Sequence, residues 1–173
     1  MAYEYRSTIG QDSHRFVDRM SRPVGEAEFA RPLVLGGVQL DQAVGLAGNS
    51  DADVILHALT NAVSGLTGVN ILGKVSDQLC LEQGITDSRV YLERALDYLG
   101  EWELRHLSFS IEGKRPHLSG WIDQIRNNIA SLVGLDREAI GITATTGEAL
   151  TDFGRGDGLQ VFCILTARRP EID

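Results

Sequence analysis

Apolar residues recur along the chain in two rhythms, one of about two residues and one of about three and a half, which lay out its elements. Tyr5 to Phe16 carries β-branched residues and runs out through Asp12-Ser13-His14, predicting a strand that ends in a site. Leu33 to Leu40 predicts a second strand, kinked at Gly36-Gly37. Asn49-Ser50-Asp51 offers capping residues before a helix whose Val54, Ile55, Leu59, Ala62, Val63 and Leu66 share one face. Asp87-Ser88 caps a second helix to about Leu99, with Leu92, Ala95, Leu96 and Leu99 together. Arg105 to Glu112 alternates as a strand. After Pro116 a stripe from Leu118 through Ile125 and Ile129 to Val133 predicts a helix stopped at Gly134. Ile140 to Thr145 and Gly158 to Ala167 close the chain as strands, the second apolar enough to be buried on both faces.

Val17 to Pro32 mixes charges with Pro23, Gly25 and Pro32 and reads as a surface loop. The order of elements predicts an α/β (α+β) fold: one domain over residues 1–173, a mixed β-sheet with helices packed on one face. The chain's 173 residues are 43% apolar and 23% charged, which suffices for a core and argues against disorder. Sixteen Lys and Arg against 24 Asp and Glu give a net charge of −8, the wrong sign for a nucleic-acid footprint. A small anion held by backbone N–H groups, one Arg or a metal stays compatible with it. Cys80 and Cys163 form no paired motif, read as small buried hydrophobes and fit a reducing compartment. The opening residues lack a signal-peptide core, and no apolar run approaches the ~20 residues that span a bilayer. A cytoplasmic protein without membrane partners is expected.

Three segments could carry chemistry. Asp12 and His14 stand at i and i+2 of a strand and so share a face. Asp53 and His57 stand at i and i+4 of a helix start, where the carboxylate could orient the imidazole. Asp12, His14 and His57 then make an open zinc site of three protein ligands; the bland reading is a surface Asp–His pair and a core histidine. Phe153-Gly154-Arg155-Gly156-Asp157-Gly158 serves equally as a bulged turn or an anion cradle. Ala144-Thr145-Thr146-Gly147-Glu148 leaves a strand as a plain turn or as a polar rim with a second-metal carboxylate. Lys114-Arg115-Pro116-His117 is a solvated basic turn or a wall against an anion, and His106 reads as structural. No Walker loop, dinucleotide fingerprint or nucleophile elbow is present.

The ordered blocks D-x-H, S-D-x-D-V-x-x-H-A-L-T-x-A, D-S, A-T-T-x-E and G-R-G-x-G resemble the 2-C-methyl-D-erythritol 2,4-cyclodiphosphate synthase family across nearly the whole chain. The resemblance implies zinc on Asp12, His14 and His57, and a second divalent ion, magnesium or manganese, on Glu148. It places Asp53, Thr146 and Glu148 among catalytic positions. Asn49, Ser50 and Ala144 fall in substrate-binding segments. Thr145, Thr146 and Pro116-His117-Leu118 fall where the cytidine end is held, and Arg155 near the threefold axis of a homotrimer with sites between subunits. The implied reaction closes a cyclic diphosphate from a cytidine-diphosphate substrate and expels CMP. Several positions depart from the family pattern: Asn49 stands for a His, Ile71 for an Asp, Val75-Ser76-Asp77 for F-P-D, and His117 for a Lys. A second reading is therefore a non-cyclising trimer that binds zinc and a nucleotide or isoprenoid diphosphate.

Overall fold

In the computed structural model, which describes residues 2–171, strand β1 (Tyr3–Arg15) pairs along its whole length with β6 (Gly158–Pro170). Beyond β6 lie β4 (Glu103–Glu112), antiparallel to it, and β5 (Ile140–Thr145), parallel to β4. The sheet order is β1-β6-β4-β5. Period-two alternation sends Leu159, Val161, Cys163, Leu165 and Ala167 of β6 into the core. The same alternation leaves Phe162 and Ile164 exposed on the opposite face, beside Ile9 of β1. The expectation that β6 is buried on both faces is thus corrected: helices cover one face of the sheet, and its apolar stripe on the other is open in the single chain.

Helix α2 (Val54–Thr67) lies across β1 and β6 with nearly every side chain of its first three turns buried. Asp53, rather than the 49–51 triplet, is its N-cap, accepting from the N–H groups of Ile55 and Leu56. The triplet is engaged elsewhere, with Ser50 accepting from the Ala52 N–H and Asp51 binding Ser88. Gly10 marks the crossing of β1 under α2, because a Cβ there would lie 2.0 Å from the Ala58 carbonyl oxygen. Helices α4 (Ser88–Leu96, capped by Asp87) and α5 (Ile122–Val133, closed by a left-handed Gly134) form inside the predicted stretches, α4 stopping short of Leu99 and α5 starting after Leu118.

Three local features differ from expectation. Leu33 to Leu40 is a hairpin, β2 (Pro32–Leu35) and β3 (Val38–Val44), because Gly36 and Gly37 both take positive φ, at 59° and 74°. Two successive left-handed residues reverse the chain where a single one would only bend it. Helix α3 (Lys74–Gln83) has no amphipathic signature, since only Ser76 and Leu79 are buried. The Val17 to Pro32 loop contains a 3-10 turn at Val17–Arg19 and a one-turn helix α1 (Glu26–Phe29). The last short helix, α6 (Asp152–Arg155), precedes β6. Among the described residues, no helix is long and apolar enough to cross a membrane.

Candidate active site

Two residues apart on the core-facing side of β1, Asp12 and His14 reach the first turn of α2, where His57 meets them. Asp12 Oδ2 lies 2.9 Å from His14 Nε2 and 3.0 Å from His57 Nδ1, and the two ring nitrogens are 3.3 Å apart. Tetrahedral ligands on a zinc-sized ion with bonds of about 2.0 Å stand roughly 3.3 Å from one another. Two imidazole nitrogens and one carboxylate oxygen at this spacing fit such an ion, and each histidine's other nitrogen is occupied. His14 Nδ1 donates to the Ala47 carbonyl at 2.8 Å, and His57 Nε2 faces Ser88 Oγ at 2.8 Å. Burial alone would raise the Asp12 carboxyl, but hydrogen bonds from His14 and His57 overcome it and hold the group down at about 2. Burial likewise opposes charge on His14, yet the Asp12 carboxylate outweighs it and raises the imidazole.

The three groups open into a cleft of about 350 Å³, flanked by Asn49, Ser50, Asn61 and the α3 residues Ser76, Asp77 and Cys80. Among the described residues, none that lines it is Lys or Arg. A cation held by the donor set would supply positive charge for an anion entering there.

A second cleft of about 230 Å³ gathers Pro116, His117 and Leu118 from the turn before α5 with Ala144, Thr145 and Thr146 at the end of β5. All six were expected in substrate-binding segments, and parallel pairing of β4 with β5 is what brings the two turns together. Lys114 lines the same cleft and supplies a cation there. The turn is anchored through Arg115, whose guanidinium makes paired bonds to Asp18 and stacks 4.3 Å from the centre of the Phe16 ring.

Other expectations come out differently. Asp53 does not orient His57: its carboxylate is fully buried and accepts from the N–H groups of Gly36, Gly37, Ile55 and Leu56. It ties the β2–β3 turn to the start of α2 and lines neither cleft. Burial pushes its carboxyl up to about 6, against the N–H bonds from Gly37, Leu56 and Gly36. Glu148 and Arg155 are exposed outside both clefts. Glu148 sits in left-handed backbone at φ 49°, an uncommon conformation for its residue type. Gly154 lies in α6, and a Cβ on it would lie 2.8 Å from the Gly147 oxygen, so it lets two turns pack. Ile71 is buried in the core, while the adjacent Leu72 and Gly73 reach the metal-type cleft. Cys163 is buried as expected, but Cys80 lines that cleft with its thiol donating to the Asn49 carbonyl. Spacing gives no hint of Ser88, which lies 31 residues from His57 in the chain.

Residues 5–168 match the YgbB family. The 2-C-methyl-D-erythritol 2,4-cyclodiphosphate synthase of Chlamydia abortus is 45% identical over 163 residues, covering 94% of this chain and 88% of that protein. The bifunctional IspDF from Campylobacter jejuni covers 98% of this chain with a TM-score of 0.83 and 29% identity, and this chain spans 44% of that longer one. A CDP-bound 2C-methyl-D-erythritol-2,4-cyclodiphosphate synthase is 26% identical, covering 94% of this chain and 99% of its own at a TM-score of 0.73. The match runs from the first strand to the last and encloses the Asp12–His14–His57 cluster as well as both clefts: this chain belongs to the YgbB family.

Proposed function

We propose that the chain catalyses the cyclodiphosphate synthase reaction of its relatives, as a phosphorus–oxygen lyase of non-mevalonate isoprenoid biosynthesis. The substrate is 4-diphosphocytidyl-2-C-methyl-D-erythritol 2-phosphate, and the products are the 2,4-cyclodiphosphate and CMP. The observation that carries this reading is the Asp12–His14–His57 donor set opening into a polar cleft within a chain of this family.

An oxygen of the 2-phosphate attacks the β-phosphorus of the cytidine diphosphate arm. A new phosphorus–oxygen bond forms, the bond from the β-phosphorus to the bridging oxygen breaks, and the electron pair leaves with CMP. Nucleophile and leaving group belong to one molecule, so the protein's work is to fold the substrate until two anionic phosphates meet. Asp12, His14 and His57 would hold zinc, which when bound supplies Lewis-acid polarisation of the phosphate. Asn49 and Ser50 border that cleft and offer hydrogen bonds to the diphosphate end. Pro116, His117, Leu118, Ala144, Thr145 and Thr146 line the second cleft, in which the cytidine would sit. Glu148 stands exposed beside Thr146 and would hold the second divalent ion, magnesium or manganese. A homotrimer brings the two clefts of neighbouring subunits together, with Arg155 near the threefold axis. That reading is supported by Ile9, Phe162 and Ile164, which leave an apolar stripe exposed on the sheet face that no helix covers.

Phosphorus NMR of the zinc- and magnesium-loaded protein with this substrate tests the proposal. Signals of CMP and the cyclic diphosphate grow together, and a chelator stops both. A folded, zinc-bound protein that leaves the substrate intact would instead support the non-cyclising binder.

A further inference from the structure

His57 turns Nδ1 toward Asp12 and His14, so its other nitrogen, Nε2, faces into the protein. There it meets Ser88 Oγ at 2.8 Å, at the start of α4, while Ser50 Oγ stands farther off at 3.4 Å. Ser88 is fully buried and has two bonds to a single carboxylate: its hydroxyl donates to Asp51 Oδ1 and its N–H to Asp51 Oδ2 at 3.0 Å. The carboxylate is itself fixed, because Asp51 Oδ1 also accepts from the Asp53 N–H at 3.1 Å and the Asp51 N–H donates to the Thr86 carbonyl.

A hydroxyl has one proton. With that O–H directed at the Asp51 carboxylate, Ser88 Oγ has only lone pairs to offer His57, and the hydrogen between them belongs to Nε2. We propose that Asp51 and Ser88 form a positioning relay that holds His57 as the Nε2–H tautomer, with the Nδ1 lone pair aimed at the metal. His14 receives only the neutral Ala47 carbonyl on its second nitrogen. His57 alone is backed by a carboxylate, passed through a hydroxyl, which raises the basicity of its ligating nitrogen. The geometry also couples three segments distant in sequence: the α2 start, the loop of residues 50–53 and the α4 start. Neither Asp51 nor Ser88 lines the cleft, so both act through His57. The inference rests on the reading of Asp12, His14 and His57 as metal ligands.

Zinc titration of the full-length protein against a chelating dye tests both levels at once, with proton NMR of the zinc-loaded protein as a second readout. The wild type shows a slowly exchanging, downfield imidazole N–H assigned to His57 Nε2. Ser88→Ala loses that resonance and binds zinc about 10- to 100-fold more weakly, the usual cost of removing an outer partner of a histidine ligand. Ser88→Thr, which keeps the hydroxyl, restores both within a few-fold. Asp51→Asn weakens zinc binding in the same direction. Thermal unfolding with a chelator present shows that each variant is folded, and the wild-type resonance tests the relay even where a variant does not fold. A wild type that binds zinc but lacks the protected N–H, or a folded Ser88→Ala with unchanged zinc affinity, overturns the relay alone. A wild type that binds no zinc overturns the relay and the ligand assignment together.

Discussion

Nε2 of His14 and Nδ1 of His57 stand 3.3 Å apart, so a strand and a helix present different imidazole atoms to one point. The choice of atom is made behind each ring, by the Ala47 carbonyl for His14 and by Ser88 for His57. His57→Ala removes one of three donors while leaving the Asp53 cap and the α2–β1 contact in place. Metal binding is expected to fall more than about 100-fold, beyond the cost of losing an outer partner, and turnover to fall to background. Metal content after dialysis, read beside circular dichroism, checks this. A folded variant that keeps both zinc and turnover would sink the ligand assignment.

The approach of α2 to β1 sets how close His57 comes to Asp12, and Gly10 sets that approach. A Cβ at Gly10 would lie 2.0 Å from the Ala58 carbonyl oxygen and 2.4 Å from the Ala62 nitrogen. Both are backbone atoms and cannot rotate away, so Gly10→Ala must push helix from strand. The expected cost is about 1–3 kcal/mol, typical of overpacking, with weaker zinc binding in the protein that remains folded. Urea unfolding and a zinc titration measure the two effects, and a variant as stable as the wild type would contradict the contact.

The metal-type cluster is legible in the chain because its members obey local spacing rules and sit where regular elements begin or end. Asp12 and His14 share a strand face whatever the rest of the fold does. His57 is harder, because the i,i+4 rule pairs it with Asp53, and that pairing fails. Orphan N–H groups at the start of α2, together with the glycine hairpin turn, claim the Asp53 carboxylate first. Ser88 is the nearest group to His57 Nε2 instead, and no periodicity links positions that only tertiary folding brings together. The same limit hides α3, whose mostly exposed surface leaves no apolar stripe to read. Each turn of the second cleft is flagged by its own residues as a possible wall or rim, but only the family resemblance groups them, since they meet by strand pairing and not by proximity in sequence.

Asp18 and Arg115 tether the 3-10 turn that follows β1 to the turn that lines the second cleft. The Arg115 guanidinium holds the Asp18 carboxyl below its ordinary 3.8, against a smaller opposing effect of burial. The unfolded chain therefore binds more protons than the folded one near and below that value. Stability from the pair is present in full above about pH 4 and is lost as pH falls through the lower, folded-state pKa. Both side chains are partly exposed, so roughly 0.2–1 kcal/mol is at stake. The melting temperature of Asp18→Asn should lie slightly below that of the wild type at pH 7, with the gap closing toward pH 3. A gap that is constant with pH would show that the carboxylate charge contributes nothing.

The two cysteines differ in a way a thiol reagent can read. Cys163 points from β6 into the core with no exposed surface, and burial pushes its thiol well above the usual range, so little thiolate forms. Cys80 projects from α3 into the metal-type cleft, its thiol donating to the Asn49 carbonyl at 3.1 Å. An aromatic disulfide reagent is expected to label one thiol in the native protein and two in denaturant, and Cys80→Ala should have no fast-reacting thiol. A bulky adduct on Cys80 fills space beside Asn49 and Ser50, so turnover should fall at least about tenfold, equivalent to some 1.4 kcal/mol of barrier. Rapid labelling of both thiols in the native state would refute the burial of Cys163. Full turnover by the Cys80 adduct would mean that the substrate does not occupy the α3 side of the cleft.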